Sequence, residues 1–179
     1  MNVLEKVVAA VTPILSAEKM QEARAKARAM AGKSGWLATI LDHHLQIEAC
    51  FEEVKNAKSA TGRKKAQKQL ALMLTGHSIA EESVLYAAMA ANGQESGSDE
   101  LYAEQSTAKV EMATLDDLEP MSQEYLDKLE HIRGAVAHHV YEEENDHFLK
   151  LMDAADTATQ SKLTRRYKEE FERYVHPAA

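Results

Sequence analysis

The sequence predicts an all-α protein, an antiparallel four-helix bundle with a helical extension before it and a covering helix after it. Three observations carry that expectation. Gly and Pro number only seven and three in 179 residues, while Ala, Leu, Glu, Lys and Met are plentiful and the β-branched and aromatic runs that strands use are scarce. Apolar residues recur at helical spacing rather than in alternation. Short connections between the periodic segments force neighbouring helices to run antiparallel.

A chain that is 45% hydrophobic and 6% aromatic at this length holds one well-buried core. Its net charge of -8 repels phosphate backbones and anionic lipid, which argues against nucleic acid and membrane as partners. The basic run Arg63, Lys64, Lys65, Lys68 then reads as a solvated helix face. The lone Cys50 has no partner for an internal disulfide and packs as a small apolar residue among Ile47, Phe51 and Val54, which fits a reducing cytoplasm. The opening stretch is apolar, but Glu5, Lys6 and Pro13 interrupt it and it is too short to span a bilayer. No targeting or transmembrane segment is read, a signal peptide around Val7 to Val11 standing as the alternative.

Val3, Leu4, Val7, Val8 and Val11 share one helical stripe that Pro13 ends; Ser16 caps a second segment with the stripe Met20, Ala23, Ala27, Met30, closed by Gly32 and Gly35. Residues 1–33 contain no histidine. They form an extension that packs on the bundle or on a homodimer mate or partner protein, and residues 34–179 form the bundle. Four longer helices follow, at about residues 35–59, 61–91, 98–118 and 121–155. A last one, about residues 157–175, shows Leu163, Tyr167, Phe171 and Val175 and would cover one end.

Chemistry enters with a repeat. The second long helix reads His77-Ser-Ile-Ala-Glu81-Glu82 and the fourth reads His139-Val-Tyr-Glu-Glu143-Glu144, aligning without a gap. Four residues apart, an imidazole and a carboxylate stand on one helix face about 6 Å apart along the axis, near enough to converge on one cation or two adjacent ones. Glu81 and Glu143 therefore point inward and Glu82 and Glu144 towards solvent. Both His/Glu pairs interrupt apolar stripes, Leu70, Leu74, Val84, Leu85 in one helix and Leu129, Ile132, Val136, Val140 in the other. Two carboxylates buried face to face would take up protons unless a dication removed the penalty. The first long helix adds an imidazole in register with Leu37, Ile40, Ile47 and Phe51: His44 by its fit to Phe51, with His43 the alternative.

These elements resemble the hemerythrin-like, HHE cation-binding family. The resemblance covers about residues 35–155 and rests on Asp42-His43-His44 with Phe51, His77-x-x-x-Glu81 with Leu85-Tyr86, and His139-x-x-x-Glu143 with Phe148. It implies a diiron centre, oxo- or hydroxo-bridged, in which His44, His77 and His139 are terminal ligands and Glu81 and Glu143 bridge the metals. It also implies reaction with, or sensing of, dioxygen, peroxide or nitric oxide in a stress or redox role. Iron stands ahead of zinc or manganese, although His/carboxylate donors suit all three.

The third helix departs from the family. Where a histidine is expected it reads Glu104-Gln105, so Glu104 is a candidate ligand and Gln105 occupies the aligned position. Lys109, one turn later, reads as solvated or salt-bridged. His43, Glu48, Tyr86, Gln105, His138 and His147 are supporting residues or alternative ligands; His131 shares an edge with His138, and Tyr102 and Tyr141 are further hydroxyl donors. Carboxylates in place of imidazoles favour the ferric state, which moves the expectation away from reversible oxygen carriage towards peroxide breakdown, sensing or iron handling. A metal-responsive signalling module and a reversible oxygen binder remain the alternatives.

Overall fold

The computed structural model describes residues 15–175, and its described residues are all helix and connection, with no strand. The expected stripe at Val3 to Val11 lies outside the described residues. Six helices follow in chain order: α1 (Ala17–Ala31), α2 (Trp36–Asn56), α3 (Ala60–Ala80, continuing through Glu81–Tyr86 and Ala87–Ala91), α4 (Glu95–Thr114), α5 (Gln123–Glu142, continuing through Glu143–His147 and Phe148–Ala154) and α6 (Thr157–Val175). Together they form a helical bundle.

Local chemistry sets the boundaries. Ser16, Ser59 and Ser122 each accept a hydrogen bond from a backbone N–H three residues on, capping α1, α3 and α5. Gly32 and Gly35 turn the chain between α1 and α2 at φ 64° and 113°, a region that side chains with a Cβ rarely enter. The third long helix starts at Glu95, three residues before the start expected at residue 98.

Two apolar clusters fill the bundle. One gathers Trp36, Leu37, Ile40, Leu41, Leu85, Phe148 and Tyr167; the other gathers Ile47, Phe51, Val54, Leu70, Leu129 and Ile132. Along α2 the first cluster ends at Leu41 and the second begins at Ile47, and His44 stands between them. The polar layer that breaks the stripes thus lies between two apolar clusters.

Two expectations need correction. Arg63 is buried rather than solvated, because its guanidinium donates to the carbonyls of Val54, Lys55, Ala57 and Pro120 and satisfies helix-end oxygens that would otherwise lie buried without partners. And α6 lies along α2 and α3 instead of across one end. Thr164 meets the backbone of Trp36, Tyr167 meets His43 and His77, and Phe171 and Val175 crowd Gly76.

Candidate metal centre

Both copies of the repeat leave α-helical geometry at the same place. The chain widens into a π turn at Glu81–Tyr86 and again at Glu143–His147, starting in each case at the first Glu of the motif. In a π turn the hydrogen bond runs to the fifth residue instead of the fourth, so residue i+5 comes round towards residue i. That carries Tyr86 back over the face of Glu81. It also brings each second Glu closer to the face of the first.

His44, His77, Glu81 and Glu143 each offer a ligand atom within 4.8 Å of the others, and all four are buried. His77 Nε2 lies 3.2 Å from Glu81 Oε1, His44 Nε2 lies 3.3 Å from Glu143 Oε2, and His139 Nε2 lies 3.3 Å from Glu143 Oε1. The outer nitrogen of each ring is engaged elsewhere: His44 Nδ1 with Glu144 Oε1 at 2.8 Å, His139 Nδ1 with Glu104 Oε2 at 2.8 Å, and His77 Nδ1 with the Tyr167 hydroxyl at 2.9 Å. The carboxylates at Nδ1 of His44 and His139 keep the proton on that nitrogen and set the tautomer a metal ligand needs, while Tyr167 orients the His77 ring so that Nε2 faces Glu81.

Five buried atoms in this layer have no hydrogen-bond partner: Nε2 of His44 and of His77, Oε1 of Glu81, Oε1 of Gln105 and Oε2 of Glu143. Buried polar atoms are ordinarily paired, and orphans clustered at facing imidazoles and carboxylates are what a cation would satisfy. The donor set of nitrogens and carboxylate oxygens fits a first-row dication.

Electrostatics without a cation show the strain. Burial and the repulsion of Glu143 hold the Glu81 carboxyl well above the usual carboxylate range, and burial with the nearby His44 charge holds His77 well below the usual imidazole value. For His44 burial works downward, but the carboxylates of Glu143 and Glu144 outweigh it and raise the ring to about 9. His139 is likewise raised, burial being outweighed by Glu143 and Glu104, and Glu143 is lowered because His139 and His44 outweigh its own burial.

On the described residues 37–151 the chain matches the family model for the hemerythrin HHE cation binding domain. The chain belongs to the hemerythrin family. No curated protein and no solved structure matches it. In this hemerythrin-family chain the α4 position that reads Gln105 is buried, and its amide nitrogen donates to Glu81 Oε2 at 2.6 Å and to the Tyr86 hydroxyl at 2.7 Å. Tyr86 in turn donates to Glu143 Oε1 at 2.7 Å, and burial beside Glu143 pushes its phenol well above the ordinary value.

The remaining candidates fall at different distances from the four-residue group. Glu104 sits behind His139, on the side of the ring away from the inner carboxylates. His43 is buried, but it turns to the Tyr167 hydroxyl and stacks on Phe171; burial and the His44 charge lower it to about 4. Glu48 faces solvent at 56% side-chain exposure, held by Arg24 at 2.7 Å, and does not enter the layer. His138 pairs with Glu142, and His147 is half-buried with its ring against Gly97. Lys109 forms an ion pair with Glu82, and Tyr102 is exposed.

The expectation that Glu144 meets solvent is overturned: it is buried, because the π turn narrows its angle to Glu143 and both His44 and Arg24 hold its carboxylate. Glu82 is half-buried against Lys109 instead of free in solvent. Sequence reasoning missed Glu144, Tyr167 and Arg24 as neighbours of the centre. The doubled Glu was the one visible signal for Glu144; nothing local marked Tyr167 or Arg24, which arrive from helices that the chain adds before and after the repeat.

A cavity of about 300 Å³ opens beside the layer, reaching His77, Gln105 and His139 between walls that include Leu74, Ala108, Met112 and Val136. No described helix is long and apolar enough to cross a membrane.

Proposed function

We propose that this protein is a cytoplasmic, non-haem diiron protein that reacts with or senses dioxygen, peroxide or nitric oxide in a stress or redox role. The observation that carries the reading is the convergence of three imidazole Nε2 atoms on two buried carboxylates whose inner atoms lack partners. In this reading His44, His77 and His139 are terminal ligands, Glu81 and Glu143 bridge, and iron is favoured over zinc or manganese. An antiparallel arrangement of α2 to α5 belongs to the same reading, with residues 1–33 as an extension and residues 34–179 as the metal-binding unit, α6 packed along α2 and α3.

A pair of irons held there, joined by an oxo or hydroxo group, would supply the electrons and the open coordination position for the small ligand. The chain's own residues do the rest. The cavity, walled largely by apolar side chains with Lys68, Lys109 and Asp116 also in its lining, gives a small neutral molecule a path to the layer. Tyr86 and Gln105 hold protons at their hydroxyl and amide, close to both bridging carboxylates. Glu144 and Glu104 orient His44 and His139 and raise their basicity, which stabilises the higher oxidation state and speaks against reversible oxygen carriage.

Metal analysis and an absorption spectrum of the chain purified from iron-replete medium test this, alongside His139→Ala. Iron in the wild type with its loss in the variant is expected. Colourless, iron-free wild-type protein would refute the centre, and a long-lived oxygen adduct that disappears on removing oxygen would restore the carrier reading.

A second reading, a metal-responsive signalling module, is favoured by one contact. Arg24 on α1 donates to both oxygens of Glu144, whose carboxylate holds His44, so the extension is tied to a candidate ligand through a single side chain. Truncation of residues 1–33 that left oligomeric state and partner recovery unchanged would remove this reading.

A further inference from the structure

A second group of metal-ligating side chains lies outside the centre. Glu104 on α4 and His138 and Glu142 on α5 each offer a donor atom, and the three atoms lie within 4.8 Å of one another. His138 and Glu142 stand four residues apart on one face of α5, with Nε2 of the ring 3.3 Å from Oε1 of the carboxylate. That contact leaves Nδ1 of His138 and Oε2 of Glu142 shielded from solvent and without a partner. All three residues are half-buried, so the group is reachable from solvent yet partly desolvated. Two carboxylates at that spacing repel each other, and the one imidazole, if charged, offsets only one of them. A dication satisfies both carboxylates and the ring together.

We propose that Glu104, His138 and Glu142 form a second, exchangeable divalent-cation site on the outer side of the bundle. One imidazole nitrogen and two carboxylates suit manganese, ferrous iron or zinc rather than a soft monovalent ion. Three protein donors leave positions for water, so this site exchanges its ion more readily than the buried layer. Glu104 belongs to both places, since its Oε2 also accepts the Nδ1 proton of His139. A cation drawing on Glu104 weakens that acceptance and makes His139 a poorer donor, so occupancy outside is felt at the centre through one carboxylate. Cation binding here does not depend on iron in the centre; only this coupling rests on the function proposed above.

The test is a titration of the full iron-loaded chain with Mn²⁺, followed by the electron paramagnetic resonance signal of the free ion. The wild type should take up a single Mn²⁺ beyond its iron. His138→Ala and Glu142→Gln should each weaken that uptake by about tenfold or more, with iron content and the helical circular dichroism spectrum unchanged. Wild-type protein that binds no Mn²⁺ at millimolar concentration, or variants that bind it as the wild type does, overturns the proposal. His77→Ala, which removes a nitrogen from the buried layer, supplies the control. Retained uptake there supports the outer site, whereas its loss assigns the ion to the inner group and overturns it. A chain that lacks iron but shows His138-dependent Mn²⁺ uptake defeats the diiron reading and leaves the outer site standing.

Discussion

His139 is gripped from both sides: Glu104 accepts its Nδ1 proton, and Glu143 and the Tyr86 hydroxyl face its Nε2. Glu104→Gln keeps the shape but removes the charge that makes the ring a strong donor. It should lower metal affinity by about 10- to 100-fold, read by competition with a chelator. Tyr167 serves two rings at once, lying 2.9 Å from Nδ1 of His43 and of His77. A hydroxyl has one proton, so it donates to one ring and accepts from the other. Tyr167→Phe leaves both nitrogens without that partner in a buried place and should cost about 1–3 kcal/mol, measured by urea unfolding of the metal-free protein. The four-residue pairing of His77 with Glu81 and of His139 with Glu143 was visible in the sequence because helical spacing alone dictates it. The burial of Glu144 was not, because it depends on a π turn and on Arg24 arriving from α1.

At the scale of elements, the site is supported by close approach of α3 and α6. A Cβ on Gly76 would come within 2.7 Å of Val175 Cγ2 and 3.5 Å of Phe171. Gly76→Ala therefore pushes α6 outward at the turn next to His77, loosening the stack of Phe171 on His43 and the reach of Tyr167. A loss of about 1–3 kcal/mol is expected, together with faster release of metal to a chelator; an unchanged release rate would show that α6 is packing alone. The helices themselves were legible as periodic apolar segments, with Ser16 marking the start of α1; the caps at Ser59 and Ser122 came only from the structure. The two π turns were not, since no composition or spacing marks where a helix widens; both begin at the carboxylate that the buried layer needs to position.

Across the whole molecule, the buried layer couples metal to protons and to stability. His44 carries a proton up to about pH 9 in the metal-free protein, and Glu81 holds one well above the usual carboxylate range. As the ligands proposed above, both would deprotonate on binding metal, so loading should release protons and tighten as pH rises towards 9, in a titration repeated in buffers of different ionisation enthalpy. With the centre as proposed, removing its metal would leave Glu81 and Glu143 buried side by side without a cation. The melting temperature should fall on chelation, by an amount equivalent to about 3 kcal/mol when the metal had been at a hundred times its dissociation constant, followed by thermal circular dichroism.

The sequence by itself determined the all-helical class, the family, and which histidines and carboxylates could share a helix face, because periodicity and four-residue spacing act within one helix. It also placed Gln105 where a histidine was expected, a difference of one side chain that needs no coordinates to see. Tertiary structure alone decided that His43, the alternative to His44, turns to Tyr167, that Glu48 stays in solvent, and that Glu104 backs His139 from outside. Those choices depend on distances between helices far apart in the chain, and on side chains such as Arg24 and Tyr167 whose partners only packing supplies.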